Sequence, residues 1–260
     1  MRSYALPLVL LCAACTSTPP PAAPVRPLSS AVQTTPASAP ASRPAPTPPP
    51  TTLTVPFTAT AIKCDGEPNE PAWNSAARTG SFLDTTTQHL VRPYSDTRLL
   101  ADKNNLYLLL YAADEDVRVP LQKQHDKSFG DSDHFTVKIR RQNAPAITYV
   151  VEIAPNRTLY DAEVTAHTTS AHRSATDLRW SSHIMMGADL DGTLNDPKDE
   201  DEEWLIESAL PLVSLHAKSG ESLLMSIERC DTPKGGVRSC GAWGRDASGE
   251  PVGVVILPKG

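Results

Sequence analysis

The chain has 260 residues, with 24 Lys and Arg against 30 Asp and Glu, a net charge of −6 and 5% aromatic residues. Every acidic residue falls after position 52, as do all the basic ones except Arg2, Arg26 and Arg43, so that stretch stands near −9. A surface this acidic has no electrostatic footprint for phosphate backbones, and nucleic acid is excluded as an expected partner.

Met1-Arg2 gives a basic start, Ala5 to Ala14 is an apolar run, and Ala13-Ala14-Cys15 sets two small residues before a cysteine. This is the layout of a secretory signal over residues 1–14. The cysteine after the cut resembles a bacterial lipoprotein signal, which implies lipidation at Cys15. Cys12 stands where such signals usually place an aliphatic residue, and an ordinary cleaved signal peptide is the alternative. The run is too short to cross ~30 Å of hydrocarbon. Either way export is expected, with membrane contact only through the N-terminal lipid. Thr16 after the cysteine resembles the pattern of outer-membrane sorting in Gram-negative envelopes.

Residues 15–52 form a linker of Pro, Ala, Ser and Thr without Asp or Glu. Such a segment cannot bury enough apolar surface to order itself, and its prolines favour an extended spacer. At ~3.1 Å per residue it reaches up to roughly 110 Å.

Residues 53–260 are long enough for one domain with its own core. A short helical turn is expected at Pro71 to Ala76, with Asn69 as its cap. Strands are expected at Asn105 to Tyr111, His134 to Arg140, Thr148 to Ile153, Leu178 to Met186, Trp204 to Leu210, Leu223 to Glu228 and Val252 to Leu257. Phe135, Val137 and Ile139 alternate with polar neighbours, a period of two with one buried face. No amphipathic helices alternate with these runs, so the expected class is an all-β, antiparallel β-sandwich after a disordered stalk. Trp73 is expected to plug one end of it, and Trp204 to share a core face with Ile206, Ser208 and Leu210.

Three cysteines fall in the domain. Cys230 and Cys240 flank a turn-rich stretch, Asp231 to Gly236, that can bring hairpin arms together, so a disulfide is expected there with Cys64 buried and free. Pairing of Cys64 with either of the others is the alternative. No CxxC spacing points to a structural zinc.

Several stretches taken together resemble carbohydrate-binding module family 9. Asp65-Gly66-Glu67-Pro68-Asn69-Glu70-Pro71-Ala72-Trp73 is similar to its opening motif. Asp102 before Leu106-Tyr107, the acidic loop Asp126 to Asp133, and Gly192-Thr193-Leu194-Asn195 with Asp201, Trp204, Glu207 and Pro211 follow in the family's order. The resemblance implies a two-sheet sandwich that binds the ends of glycan chains, without catalytic residues, often with structural calcium. It places the stacking rings at Phe129 and Trp243, with Asp126 on the same loop. Thr136 stands where the family has a hydrogen-bonding glutamate.

Hard cations take clustered carboxylates, and Asp189, Asp191 and Asp201 in the acidic stretch from 189 to 203 are the calcium candidates. A solvated acidic loop is the alternative. Nothing resembles a metalloprotease helix, a nucleophile elbow or a phosphate-binding glycine loop. Haem is not expected: His183 and Met185 lie on one expected strand, where Met185 reads as core. Three readings follow. The first is a non-catalytic lipoprotein of the envelope that binds a polysaccharide or oligosaccharide by aromatic stacking, as an accessory to carbohydrate breakdown. The second is an interaction or structural module on the same fold without a sugar site. The third is an enzyme or redox domain.

Overall fold

The computed structural model describes residues 51–119, 129, 132–166 and 175–260. Cys15, the linker through residue 50 and Asp126 lie outside the described residues, while Thr52, the last residue of the expected linker, opens a strand. Among the described residues fourteen strands run in chain order: β1 (Thr52–Thr54), β2 (Ala77–Arg78), β3 (Leu83–Asp84), β4 (Ser95–Ala101), β5 (Asn105–Ala113), β6 (His134–Arg141), β7 (Ile147–Ile153), β8 (Leu159–Thr165), β9 (Ala175–Asp177), β10 (Met185–Asp191), β11 (Glu203–Pro211), β12 (Ser222–Asp231), β13 (Ser239–Trp243) and β14 (Gly253–Ile256). The larger sheet has the order β1-β14-β12-β6-β7-β8-β9, with β13 pairing β12 and β3. The smaller has the order β10-β11-β5-β4-β2. No helix among the described residues is long and apolar enough to cross a membrane.

The two sheets close over one core because the inward residues alternate as the sequence pattern demands. Phe135, Val137 and Ile139 from β6, Tyr149, Val151 and Ile153 from β7, and Trp204, Ile206 and Leu210 from β11 all enter the same cluster. One pairing departs from the antiparallel expectation: β1 lies parallel to β14, Thr52 opposite Val254.

The ends of the sandwich are defined by their loops. At one, the hairpin Asp102 to Asn104 joins β4 to β5, Pro211 lies opposite Asn105, and Leu257 N–H donates to the Glu221 carbonyl. At the other, the acidic end, Asp191 lies opposite Glu203 and His134 opposite Cys230.

Four local expectations are corrected. Trp73 sits on a 3-10 turn, Pro71–Ser75, whose cap is Glu70 rather than Asn69, with no side-chain hydrogen bond. Its ring packs with Leu100, Tyr107, Leu109 and Leu205. These point outward from the smaller sheet, so Trp73 covers that sheet's outer face rather than plugging an end. The stretch from Leu178 to Ile184 is turn and irregular chain, and the strand begins only at Met185. Met186, Ala188 and Leu190 take the inward side of β10, so Met185 lies on the other face and is 59% exposed rather than core.

Candidate functional site

The outer face of the larger sheet is built by strand parity. Where Phe135, Val137 and Ile139 turn inward, His134, Thr136, Lys138 and Arg140 must turn outward. Thr136 lies opposite Glu228 of β12 on one side and Glu152 of β7 on the other, and Glu152 lies opposite Tyr160 of β8. At about 4.8 Å between strands, the two glutamates stand roughly 10 Å apart with Thr136 between them. Glu228 is paired with Arg245 over 3.0 Å. Lys138 Nζ donates to the Gly249 carbonyl over 2.9 Å. Arg140 donates to Thr148 Oγ1 and pairs with Glu250. A small cavity of about 140 Å³ opens beside Lys138, Arg140, Thr148, Val150 and Glu250.

Phe129 belongs to this face but not as a stacking platform. It is 5% exposed and packs on Ala154, Tyr160 and Ala162, with its ring centroid 4.9 Å from that of His134. Burial pushes the His134 imidazole down to about 4, so it is neutral, and its Nδ1 lies 3.0 Å from the Ser132 carbonyl. Trp243 is 2% exposed and lies opposite Ile227, so parity sends it to the core side of the same sheet. The expected clamp is therefore corrected: a stacking ring must show a face to solvent, and these two are buried on opposite sides of one sheet. Thr136 is on the outer face, itself largely covered.

The calcium candidates lie on and beside the edge strand β10. Asp189 and Asp191 are exposed on the edge strand β10. Asp201 lies against the turn that follows Asp191, its Oδ1 2.0 Å from where a Cβ on Gly192 would stand. Its two oxygens accept the backbone N–H of Val117 over 2.6 Å and of Thr193 over 2.7 Å. Among the described residues, the three do not bring their ligand atoms within 4.8 Å of one another.

A different acidic group gathers beneath the acidic end. Oxygens of Asp114, Asp133 and Asp231 lie within 4.8 Å of one another, all buried. A guanidinium supplies positive charge there: Arg229 Nη2 donates to Asp114 Oδ2 over 2.7 Å and to Asp231 Oδ1 over 2.8 Å. Trp204 Nε1 donates to Asp114 Oδ2 over 3.0 Å. Asp133 accepts the N–H of Arg118 over 2.6 Å and of Thr232 over 3.1 Å, closing the neck of the loop that carries Phe129. Burial, then the neighbouring Asp114, raises the Asp133 carboxyl to about 8, and burial raises Asp231 to about 6.

Cys230 and Cys240 face each other across β12 and β13 and are joined by a disulfide, while Cys64 is free and buried. Burial and the nearby Glu207, Glu70 and Asp65 push its thiol up to about 12, which removes thiolate reactivity.

Sequence reasoning missed Glu152, Glu228, Lys138 and Tyr160 as companions of Thr136. The signal was present in their parity relative to Phe135 and Val151, but nothing in one strand says which strand lies beside it.

No family model matches the sequence, and no curated protein matches it. Solved structures do. A provisionally named carbohydrate-binding protein of Bacteroides uniformis superposes with a TM-score of 0.62 at 11% identity, over 79% of this chain and 98% of that one. A family 9 carbohydrate-binding module of Caldicellulosiruptor kristjanssonii, solved with cellotriose, gives 0.54 at 14% over 80% and 94%. The chain has the fold of family 9 carbohydrate-binding modules. A family 9 module of the same organism solved with glucose agrees, at 0.52 and 12% over 80% and 96%.

Proposed function

We propose that this chain is a non-catalytic carbohydrate-binding lipoprotein of the bacterial envelope, which takes its saccharide on the outer face of the larger sheet. The observation that carries the reading is the row Glu228, Thr136, Glu152 on that face, in a fold shared with modules solved with glucose and cellotriose. Carboxylates and a hydroxyl at strand spacing suit the hydroxyls of a pyranose, which donate as well as accept. Lys138 extends the row with a cation, and the contact is polar rather than by the expected pair of rings. Lipidation at Cys15 and the proline-rich stalk would hold this face away from the outer membrane.

A glycan array probed with the labelled full chain tests the reading. Retention on a saccharide that weakens about tenfold or more when Glu152 and Glu228 become alanine, a difference of ~1.4 kcal/mol, supports it. A folded protein retained by no saccharide overturns it. The second reading, an envelope interaction module without a sugar site, rests on the burial of both Phe129 and Trp243, and that second outcome favours it.

A further inference from the structure

The two ends of the sandwich carry opposite charge. The acidic end shows Glu115, Asp191, Asp196 and Glu200 to solvent, with Lys198 and Lys234 among them. At the hairpin end the exposed charged side chains are Lys103, Lys218 and Lys259, with Gly260 beside Lys103. The carboxylates close to them are engaged. Asp102 accepts the N–H of Asn104, the N–H of Asn105 and the Tyr107 hydroxyl, each over 2.7 Å. Glu221 accepts the Lys218 N–H over 3.3 Å and faces Arg141 at 3.8 Å.

The three lysines rim one surface. Lys103 and Lys218 line a cavity of about 500 Å³ with Leu212, Val213 and Ala217. Lys259 lies across Gly220, its Cγ 3.4 Å from where a Cβ would stand. The Ser219 hydroxyl donates to the Pro258 carbonyl over 2.6 Å and fixes that segment to the rim. Two apolar side chains project beside the lysines. Val213 is 76% exposed, and Phe57, bridged to Ala101 at the start of the hairpin, is 44% exposed.

Projecting apolar groups ringed by lysines are what an interfacial membrane contact requires: the apolar tips enter the headgroup boundary while the ammonium groups meet lipid phosphates. The domain carries net negative charge, so the lysine-rimmed end is the orientation favoured against an anionic surface. We propose that the hairpin end docks on an anionic lipid surface, which turns the acidic end outward. This contact is separate from the saccharide face and from lipidation at Cys15.

The test uses the full chain with Cys15→Ser, which removes the expected acylation site, and vesicles of phosphatidylcholine with or without phosphatidylglycerol. Lys103→Glu, Lys218→Glu and Lys259→Glu are combined in one variant, and Phe57→Ser with Val213→Ser in another. Both retain the same N-terminal residues, so any contact those residues make cancels. At about 1 kcal/mol per lysine near an anionic surface, the charge variant is expected to partition roughly 100-fold more weakly onto phosphatidylglycerol vesicles. The apolar variant is expected to weaken less, and salt near 1 M, where screening falls to about 3 Å, abolishes the difference between vesicle types. Circular dichroism checks that both variants keep the wild-type strand signal. Equal partitioning of wild type and charge variant overturns the proposal, as does equal wild-type binding to both vesicle types. Loss of vesicle binding on adding inorganic phosphate at constant ionic strength assigns the lysines to a small-anion site and also overturns it.

Discussion

Trp73 Nε1 donates to Glu207 Oε1 over 2.8 Å, tying the N-terminal turn to a strand 134 residues further on. Glu207 is fully buried, and its other oxygen accepts the Gly66 N–H over 3.3 Å. Only glycine fits at position 66, since a Cβ there would lie 2.6 Å from the Ala188 carbonyl oxygen. The two ends of the family-like pattern thus meet to cover the outer face of the smaller sheet.

Replacing Trp73 with phenylalanine keeps most of the ring and removes the donor. The expected cost is about 1–3 kcal/mol of unfolding free energy, since a buried acceptor loses its partner. Combining it with Glu207→Leu should cost less than the sum of the single changes, and chemical denaturation of the four proteins measures that coupling.

Stability should fall as pH rises from about 4 to about 8. A carboxyl whose pKa rises on folding takes up a proton on folding, so its contribution is full in acid and lost through the folded pKa. Asp133 at about 8 and Asp231 at about 6 both act in this sense. His134, depressed to about 4, opposes them below its ordinary range, because its contribution is lost as pH falls. The two acids outweigh it in the lower half of the window, and Asp133 acts alone in the upper half. Melting temperatures across this range check the slope. Asp133→Asn should flatten it above about pH 6.5, whatever its effect on absolute stability, because no titrating proton remains there.

Much of the fold was legible because it depends on local pattern. The apolar run at Leu106 to Leu110 and the alternation at Phe135 to Ile139 each state a buried face within a few residues. Strands β2, β3 and β9 were not legible, being two or three residues long and made by their partners. The family-like residues marked fold rather than site: Asp102 holds Tyr107, Glu207 holds Trp73, and Asp201 holds two backbone amides. Each is a carboxylate spent on an internal donor, and sequence alone does not separate that use from a metal ligand. Trp243 failed for a related reason, since its side of the sheet depends on register with Ile227.

Trp243→Ala should lower stability by about 3–5 kcal/mol, the usual cost of emptying a large aromatic site in a core. Saccharide affinity, measured below the melting transition, should not change. A specific loss of affinity at unchanged stability would return Trp243 to the binding face.

Chelation should leave the melting curve unaltered, because Asp189, Asp191 and Asp201 are not gathered and Arg229 bridges Asp114 and Asp231. Differential scanning calorimetry with and without a calcium chelator checks this, and a drop of several degrees would contradict it.

Reducing the Cys230–Cys240 bond should cost up to about 3 kcal/mol, the loop-closure value for a short ring. The paired strands β12 and β13 supply their own ladder, so the reduced protein should melt earlier yet still cooperatively. Thermal melts with and without reductant check both points.

Because β1 runs alongside β14 in the same direction, with Leu53 buried in the interior, the strand is also a mechanical coupling. A pull on the chain ahead of Thr52, directed along the strand, loads its backbone bonds together in shear instead of unzipping them one by one. Force arriving through the N-terminal segment would thus pass into the larger sheet itself, and from there to whatever that sheet holds.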